Sequence, residues 1–292
     1  MSRRSKEAAI SRFSIDPHRG AFIKLMREFN HSHNPFTVFS DFVEMSAIAL
    51  SNRFDKANFD VREKRYMEIV GKYSKEEANR FAHMFAELQM CYRERVESIG
   101  GPGLKQYGGS GLGDILGGLF MALDLGNDRA GQFFTPYEVS FMMAKMVVGT
   151  GDEIRKKGFI TLNEPACGSA GMVVAVAEAM HQEGLSYPEQ LHATCIDIDI
   201  RCVHMAYLQL SLLGIPAIVV HGNALTVQSW SNWYTPAHVI VGWTQRLQRR
   251  QFHEALGQAF QVMSKPNSQE PQPAGYSLHT AGPVPVAEEA VQ

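Results

Sequence analysis

After Thr150 the chain alternates short apolar runs with stretches of helical periodicity, and no other feature constrains its fold so tightly. Strands that alternate with helices pair in parallel, because each crossover helix returns the chain to the starting end of the sheet. Residues 159–163, 192–197, 217–221 and 238–242 read as four such strands. Helices fit between them at 171–183 and 200–213, the second closed by Gly214 at its C′ position with Pro216 beyond. The expectation is a doubly wound α/β domain with a truncated, mainly parallel sheet.

Ahead of that region the texture is helical. From about residue 35 to 96 apolar residues recur at helical spacing, and Ser74 with Glu77 forms a capping box before the stripe Ala78, Phe81, Phe85, Leu88 and Cys91. Residues 36–50 repeat the pattern less cleanly. The first 99 residues therefore read as an α-helical domain whose Met and Phe stripes are core. A glycine-dense run, GGPGLKQYGGSGLG at 100–113, has no strand before it and no GK[ST] after it, so it reads as a connector rather than a phosphate loop. Asp114 is placed to cap a helix beginning at Ile115, within an α/β domain expected to run from 114 to 264. Residues 265–292 are Pro-rich, poor in large apolar side chains and expected to be disordered.

Composition narrows the classes. With 28 basic and 30 acidic side chains and a formal charge of −2, the chain is no strongly basic nucleic-acid binder, although a local basic patch is compatible with that balance. The four cysteines, Cys91, Cys167, Cys195 and Cys202, contain no CxxC pair, which points to reduced thiols, a cytoplasmic location and no metal site. No apolar run has the roughly 20 residues of a membrane span, so no membrane partner is expected.

The densest chemistry lies between strands and helices. Asn163-Glu164-Pro165-Ala166-Cys167-Gly168-Ser169-Ala170-Gly171 follows the first strand, and its glycines let backbone approach a ligand while Glu164 can hold an ammonium or hydroxyl group. The second strand ends in Asp197, whose two acceptor oxygens suit a vicinal diol such as a ribose. Asp199, just before Ile200, reads as a helix N-cap. At the end of the third strand stands Gly222-Asn223, whose amide both donates and accepts, as an adenine edge requires.

Gly131-Gln132-Phe133-Phe134-Thr135-Pro136, then NEPACGSAGM from Asn163, then Asp197, then Gly222-Asn223 resemble in order and spacing the modification subunits of type I restriction systems. These are S-adenosylmethionine-dependent DNA N6-adenine methyltransferases with a Rossmann-like domain, and the resemblance covers residues 114–225. It implies that Phe134, Thr135 and Pro136 cradle the methionyl end of S-adenosylmethionine, and that Glu164, Gly168, Ser169 and Gly171 surround its amine, carboxylate and sulfonium. It assigns Asp197 to the ribose and Asn223 to the cofactor adenine, where the family more often carries aspartate. Ala170 stands where the family usually has glycine. DNA and other restriction-modification subunits are the partners the resemblance implies.

At the expected fourth strand the chain departs from the family. The Asn-Pro-Pro-aromatic motif that grips a flipped adenine is replaced by Gly242-Trp243-Thr244-Gln245. Trp243 can stack on a base and Gln245 can hydrogen-bond one, but a Trp packed against neighbouring helices fits equally well. Arg246, Arg249 and Arg250 form a small basic spot on the helix expected at 245–264, and what remains after it leaves length for a sheet of only four strands. Two functions follow from the sequence. One is an adenine-N6 DNA methyltransferase whose isolated chain lacks the standard catalytic motif. The other is a catalytically silent cofactor-binding regulator, or a decoy subunit of restriction-modification assemblies. A small-molecule or protein methyltransferase is disfavoured by GQFFTP.

Overall fold

The computed structural model describes residues 16–29, 33–99, 111–123, 125 and 134–263. The glycine run at 100–110, Gly131 to Phe133 and the Pro-rich segment from residue 264 lie outside the described residues. Two compact units are present, Met1–Arg246 and Leu247–Gln292.

The first unit opens with four helices, α1 (Pro17–Arg27), α2 (Pro35–Ser51), α3 (Phe59–Val70) and α4 (Lys75–Ser98). Their starts are written in side-chain chemistry. Asp16 and Asn34 cap α1 and α2 with Pro at the first helical position, and Ser74 and Glu77 form the reciprocal capping box of α4. Next come α5 (Ile115–Ala122), α6 (Tyr137–Val148) and α7 (Asp152–Lys157). The α/β part then runs β1 (Ile160–Glu164), α8 (Gly171–Gln182), α9 (Tyr187–Gln190), β2 (Leu191–Asp197), α10 (Ile200–Leu212), β3 (Ala217–Asn223), β4 (Gln228–Tyr234), α11 (Pro236–Ile240) and α12 (Trp243–Met263). The last helix runs on through the described residues of the second unit.

The sheet has the order β1-β2-β3-β4. β1, β2 and β3 are parallel, with Glu164 beside Cys195 and Asp197 beside His221, and β4 joins β3 antiparallel. One face carries Leu191, Ala193, Cys195, Ala217, Val219 and Trp233, all buried in a core shared with Phe22, Phe39, Phe42 and Leu88 of α1, α2 and α4. The helical and α/β segments thus pack around one continuous core. On the opposite face the alternation places Thr161, Asn163, Ile196, Ile218, Val220 and Asn232, which are half-buried or exposed.

The fourth strand is not the one expected. Residues 238–242 belong to α11 and the turn after it, and the strand is formed instead by residues 228–234. The cause is Thr235-Pro236. Thr235 caps α11 by accepting from the His238 amide, and its hydroxyl also accepts from the Ala217 amide at 2.9 Å and donates to the Ile215 carbonyl at 3.0 Å. A threonine cap followed by proline at N1 starts a helix, and this one overrides the β-propensity of His238-Val239-Ile240-Val241.

Candidate functional site

The turn after β1 reaches across to the end of β2. The Gly168 amide donates to Asp197 Oδ2 at 2.8 Å and the Asp199 amide donates to Asp197 Oδ1 at 2.9 Å. The Ile198 amide also hydrogen-bonds this carboxylate, so three of its roughly four acceptor directions are engaged and one is left for a ligand. Burial raises the Asp197 carboxyl above its ordinary range, and the Asp199, Gly168 and Ile198 amides act against that shift. Glu164, half-buried at the tip of β1, is likewise raised by burial. Asp199 caps α10 by accepting from the Arg201 amide and pairs with the Arg201 guanidinium, which accounts for its carboxylate.

Phe134 joins this turn from the chain ahead of α6. A Cβ on Gly168, whose φ is +53°, would lie 2.8 Å from the Phe134 ring, so the ring occupies the place that any other residue's side chain would need. Thr135 and Pro136 follow and are exposed. Phe134, Glu164, Gly168 and Asp197 therefore gather at the carboxyl ends of β1 and β2, where open α/β sheets bind ligands.

Ser169 and Gly171 face the other way. The Ser169 hydroxyl is buried and donates to Asp114 Oδ2 at 2.7 Å, while a Cβ on Gly171 would meet the same carboxylate at 2.8 Å. Between them Ala170 takes φ +69° and is fully buried. Asp114 in turn caps α5 through the Gly117 amide. Behind it lies a hub missing from the sequence reading. Buried Gln209 donates to Asp114 Oδ1 at 3.0 Å and to the Ser169 carbonyl at 2.8 Å, and its Oε1 accepts from Tyr92 at 2.5 Å and from the Leu116 amide at 3.1 Å. The signal in the sequence was a single amide flanked by Leu208 and Leu210 in α10.

Asn223 ends β3, but its side-chain oxygen is engaged in its own turn, accepting from the Leu225 amide at 2.9 Å and the Thr226 amide at 3.3 Å. Trp243 and Gln245 are not brought to this cluster. Trp243 is fully buried against Phe159 and His192 at the amino ends of β1 and β2, and its indole N–H donates to the Pro188 carbonyl at 3.2 Å. Gln245, two residues further along α12, is exposed.

A nucleoside cofactor fits the donor set. The Asp197 carboxylate has an acceptor direction left, Glu164 offers a second carboxylate, and the Gly168 backbone is approached by the Phe134 ring. Among the described residues no group of three or more His, Cys, Asp or Glu is arranged to hold a metal ion, and no helix is long and apolar enough to cross a membrane.

The parallel β1-β2-β3 core, with its loops and carboxylates at the strand ends, defines an α/β protein with a small mixed sheet. Residues 112–252 match the model of the N-6 DNA Methylase family, just under half of the chain. Similar solved structures include a Listeria monocytogenes protein assigned to the class I S-adenosylmethionine-dependent methyltransferases, at 18% identity and a TM-score of 0.30 over 65% of this chain and 54% of that one. Another is the methyltransferase subunit of a type I restriction-modification system from Streptococcus thermophilus, at 18% identity and a TM-score of 0.35 over 68% of this chain and 42% of that one. The chain thus spans about half the length of these solved proteins. No curated protein matches the sequence.

Proposed function

We propose that this chain binds S-adenosylmethionine at the carboxyl ends of β1 and β2, as a methyltransferase-like protein of the adenine-N6 DNA type that is silent in methyl transfer on its own. The observation that carries the binding half is the Asp197 carboxylate, held by backbone amides yet with an acceptor direction left for a ribose hydroxyl. Asp197 would take that hydroxyl, Glu164 the amine, and Phe134 with the Gly168 backbone the methionyl chain. Ser169 and Gly171 act through the turn, by anchoring it on Asp114. When bound, the cofactor supplies an electrophilic methyl group.

The silent half rests on the residues that replace the adenine-gripping motif. Trp243 packs at the far end of the strands from Asp197, so neither it nor Gln245 stands where a target amino group would meet a methyl donor. Methyl transfer demands alignment of the attacking nitrogen, and a misplacement of about 1 Å costs on the order of a hundredfold in rate. DNA and restriction-modification subunits are the partners this reading implies.

The test is calorimetric titration with S-adenosylmethionine, followed by incubation of the chain with labelled cofactor and unmethylated DNA. Binding without transfer is expected. Transfer by the isolated chain would overturn the silent reading, and transfer only in the presence of restriction-modification subunits would identify an assembly-dependent enzyme.

A further inference from the structure

The β3-β4 hairpin contains an irregularity that the site described so far leaves unused. His221 pairs with Ser231 and the next residue, Gly222, pairs with Ser229, so Trp230 is the extra residue of a β-bulge. Bulges re-aim a side chain and recur beside functional sites. The close approach is enforced at Gly222, where a Cβ would lie 2.3 Å from the Gln228 carbonyl oxygen.

The bulge turns Trp230 outward. Its side chain is 52% exposed, whereas Trp233 is 5% and Trp243 0% exposed. Its ring stands edge-on to His221, with centroids 4.7 Å apart and planes at 73°. His221 lies directly beside Asp197 in the parallel register, and its Nε2 is 3.3 Å from the carbonyl oxygen of Ile198, itself 62% exposed. An exposed indole, the imidazole that supports it and an exposed aliphatic side chain are thus linked to the residue after Asp197. Residues 221–231 contain no Asp, Glu, Lys or Arg, which suits a neutral heteroaromatic ring.

We propose that Trp230, supported by His221, is the aromatic platform on which the adenine ring of a nucleoside cofactor stacks when its ribose is held by Asp197. The assignment rests on the cofactor reading of Asp197 and adds the residue that carries the face of the base. It also supplies what Asn223 lacks, because that amide oxygen is engaged in its turn. Stacking of a base on an aromatic side chain is sequence-tolerant and contributes about a tenfold or greater gain in affinity.

The experiment exploits the burial of the other two tryptophans. The full chain and its W230F and W230A forms are titrated with S-adenosylhomocysteine, by calorimetry and by tryptophan emission with iodide as external quencher. A single-stranded adenine-containing oligonucleotide forms a separate arm. Expected are loss of iodide access on nucleoside binding in the wild type, an affinity within about threefold for W230F, and about a tenfold loss for W230A with an unchanged melting temperature. Calorimetric binding with unaltered emission and equal affinity in W230A would overturn the platform and leave the cofactor site standing. No calorimetric binding at all would overturn both. An emission response to the oligonucleotide and not to the nucleoside would overturn the proposal in favour of a DNA contact.

Discussion

Trp243 and Asp197 stand at opposite ends of the parallel sheet: the indole packs 5.2 Å from His192, the second residue of β2, and Asp197 closes the same strand. At about 3.3 Å per residue the two sites lie roughly 16 Å apart along the strand. A residue that replaces part of a catalytic motif in sequence has become part of the floor of the fold.

Replacing Trp243 by Ala therefore tests stability, not chemistry. Removing a fully buried indole that packs on Phe159 and His192 should cost about 3–5 kcal/mol of unfolding free energy. Affinity for S-adenosylmethionine, measured on the folded fraction, should stay within about threefold. A selective loss of ligand affinity with unchanged stability would place Trp243 in the site after all.

Acid should unfold this protein early. Burial lowers His192 to about 4 and His204 to about 3, with the neighbouring His238 adding to the first and His221 and Arg62 to the second, and burial also lowers His238. All three are neutral in the fold, whereas the unfolded chain protonates them near pH 6.5. Their stabilising contribution is complete above that pH and is lost as pH falls towards 4 and below, by up to about 1.4 kcal/mol per pH unit for each histidine. Glu164, Asp197 and Glu178, raised by burial, act in the opposite sense as they take up protons in the fold ahead of the unfolded chain. Urea unfolding at pH 7.5, 6.0 and 5.0 should show a monotonic fall, and a flat profile would contradict the buried neutral imidazoles.

Gln209→Leu should be costly out of proportion to its size. It removes four hydrogen bonds and strands the Tyr92 hydroxyl, the Leu116 amide and the Ser169 carbonyl in the interior. A loss of about 3 kcal/mol and a fall in melting temperature on the order of 10 °C are expected. Affinity for S-adenosylmethionine should fall as well, because the turn at Ser169 loses its anchor. Unchanged affinity in the folded variant would detach the hub from the site.

Asp197→Asn separates the two roles of its carboxylate. The amide presents a donor to one of the backbone N–H groups that now meet an acceptor, so stability should drop by about 1–2 kcal/mol. Cofactor affinity should fall by about 2 kcal/mol through loss of a charge-assisted bond. A variant destabilised but equally tight for ligand would remove Asp197 from the ribose.

Most of the fold was legible because its signals were local. The caps at Ser74, Asp114 and Asp199, the C′ glycine at Gly214 and the apolar runs of β1, β2 and β3 all lie where the sequence puts them, to within about two residues. The fourth strand failed because an apolar run of five residues fits a strand or a buried helix equally well. Thr235-Pro236 was the deciding signal. The polar strand 228–234 carried none of the usual apolar alternation, its one buried side chain being Trp233, which lies under the Arg62 guanidinium at 3.8 Å and against His204 and Tyr207. In the candidate site, Phe134 and Asp197 lie against Gly168, and Glu164 ends the neighbouring strand β1. Ser169 and Asn223 turn their side chains to structural partners, which depends on contacts with Asp114 and with the turn itself.

Because the chain adds β4 beside β3 and then turns into a helix at Thr235, β1 stays at one margin of the sheet, with its outward N–H and C=O groups paired to no strand among the described residues. The turn that presents Gly168 and Glu164 thus hangs from an edge strand. Its rigidity has to come from below, through Asp114, Ser169 and Gln209, and from the side, through the Gly168 amide on Asp197. Amide hydrogen exchange in β1 is then set by local fluctuations, whereas the Leu116 amide, bonded to the Gln209 side chain, exchanges only when the whole unit opens.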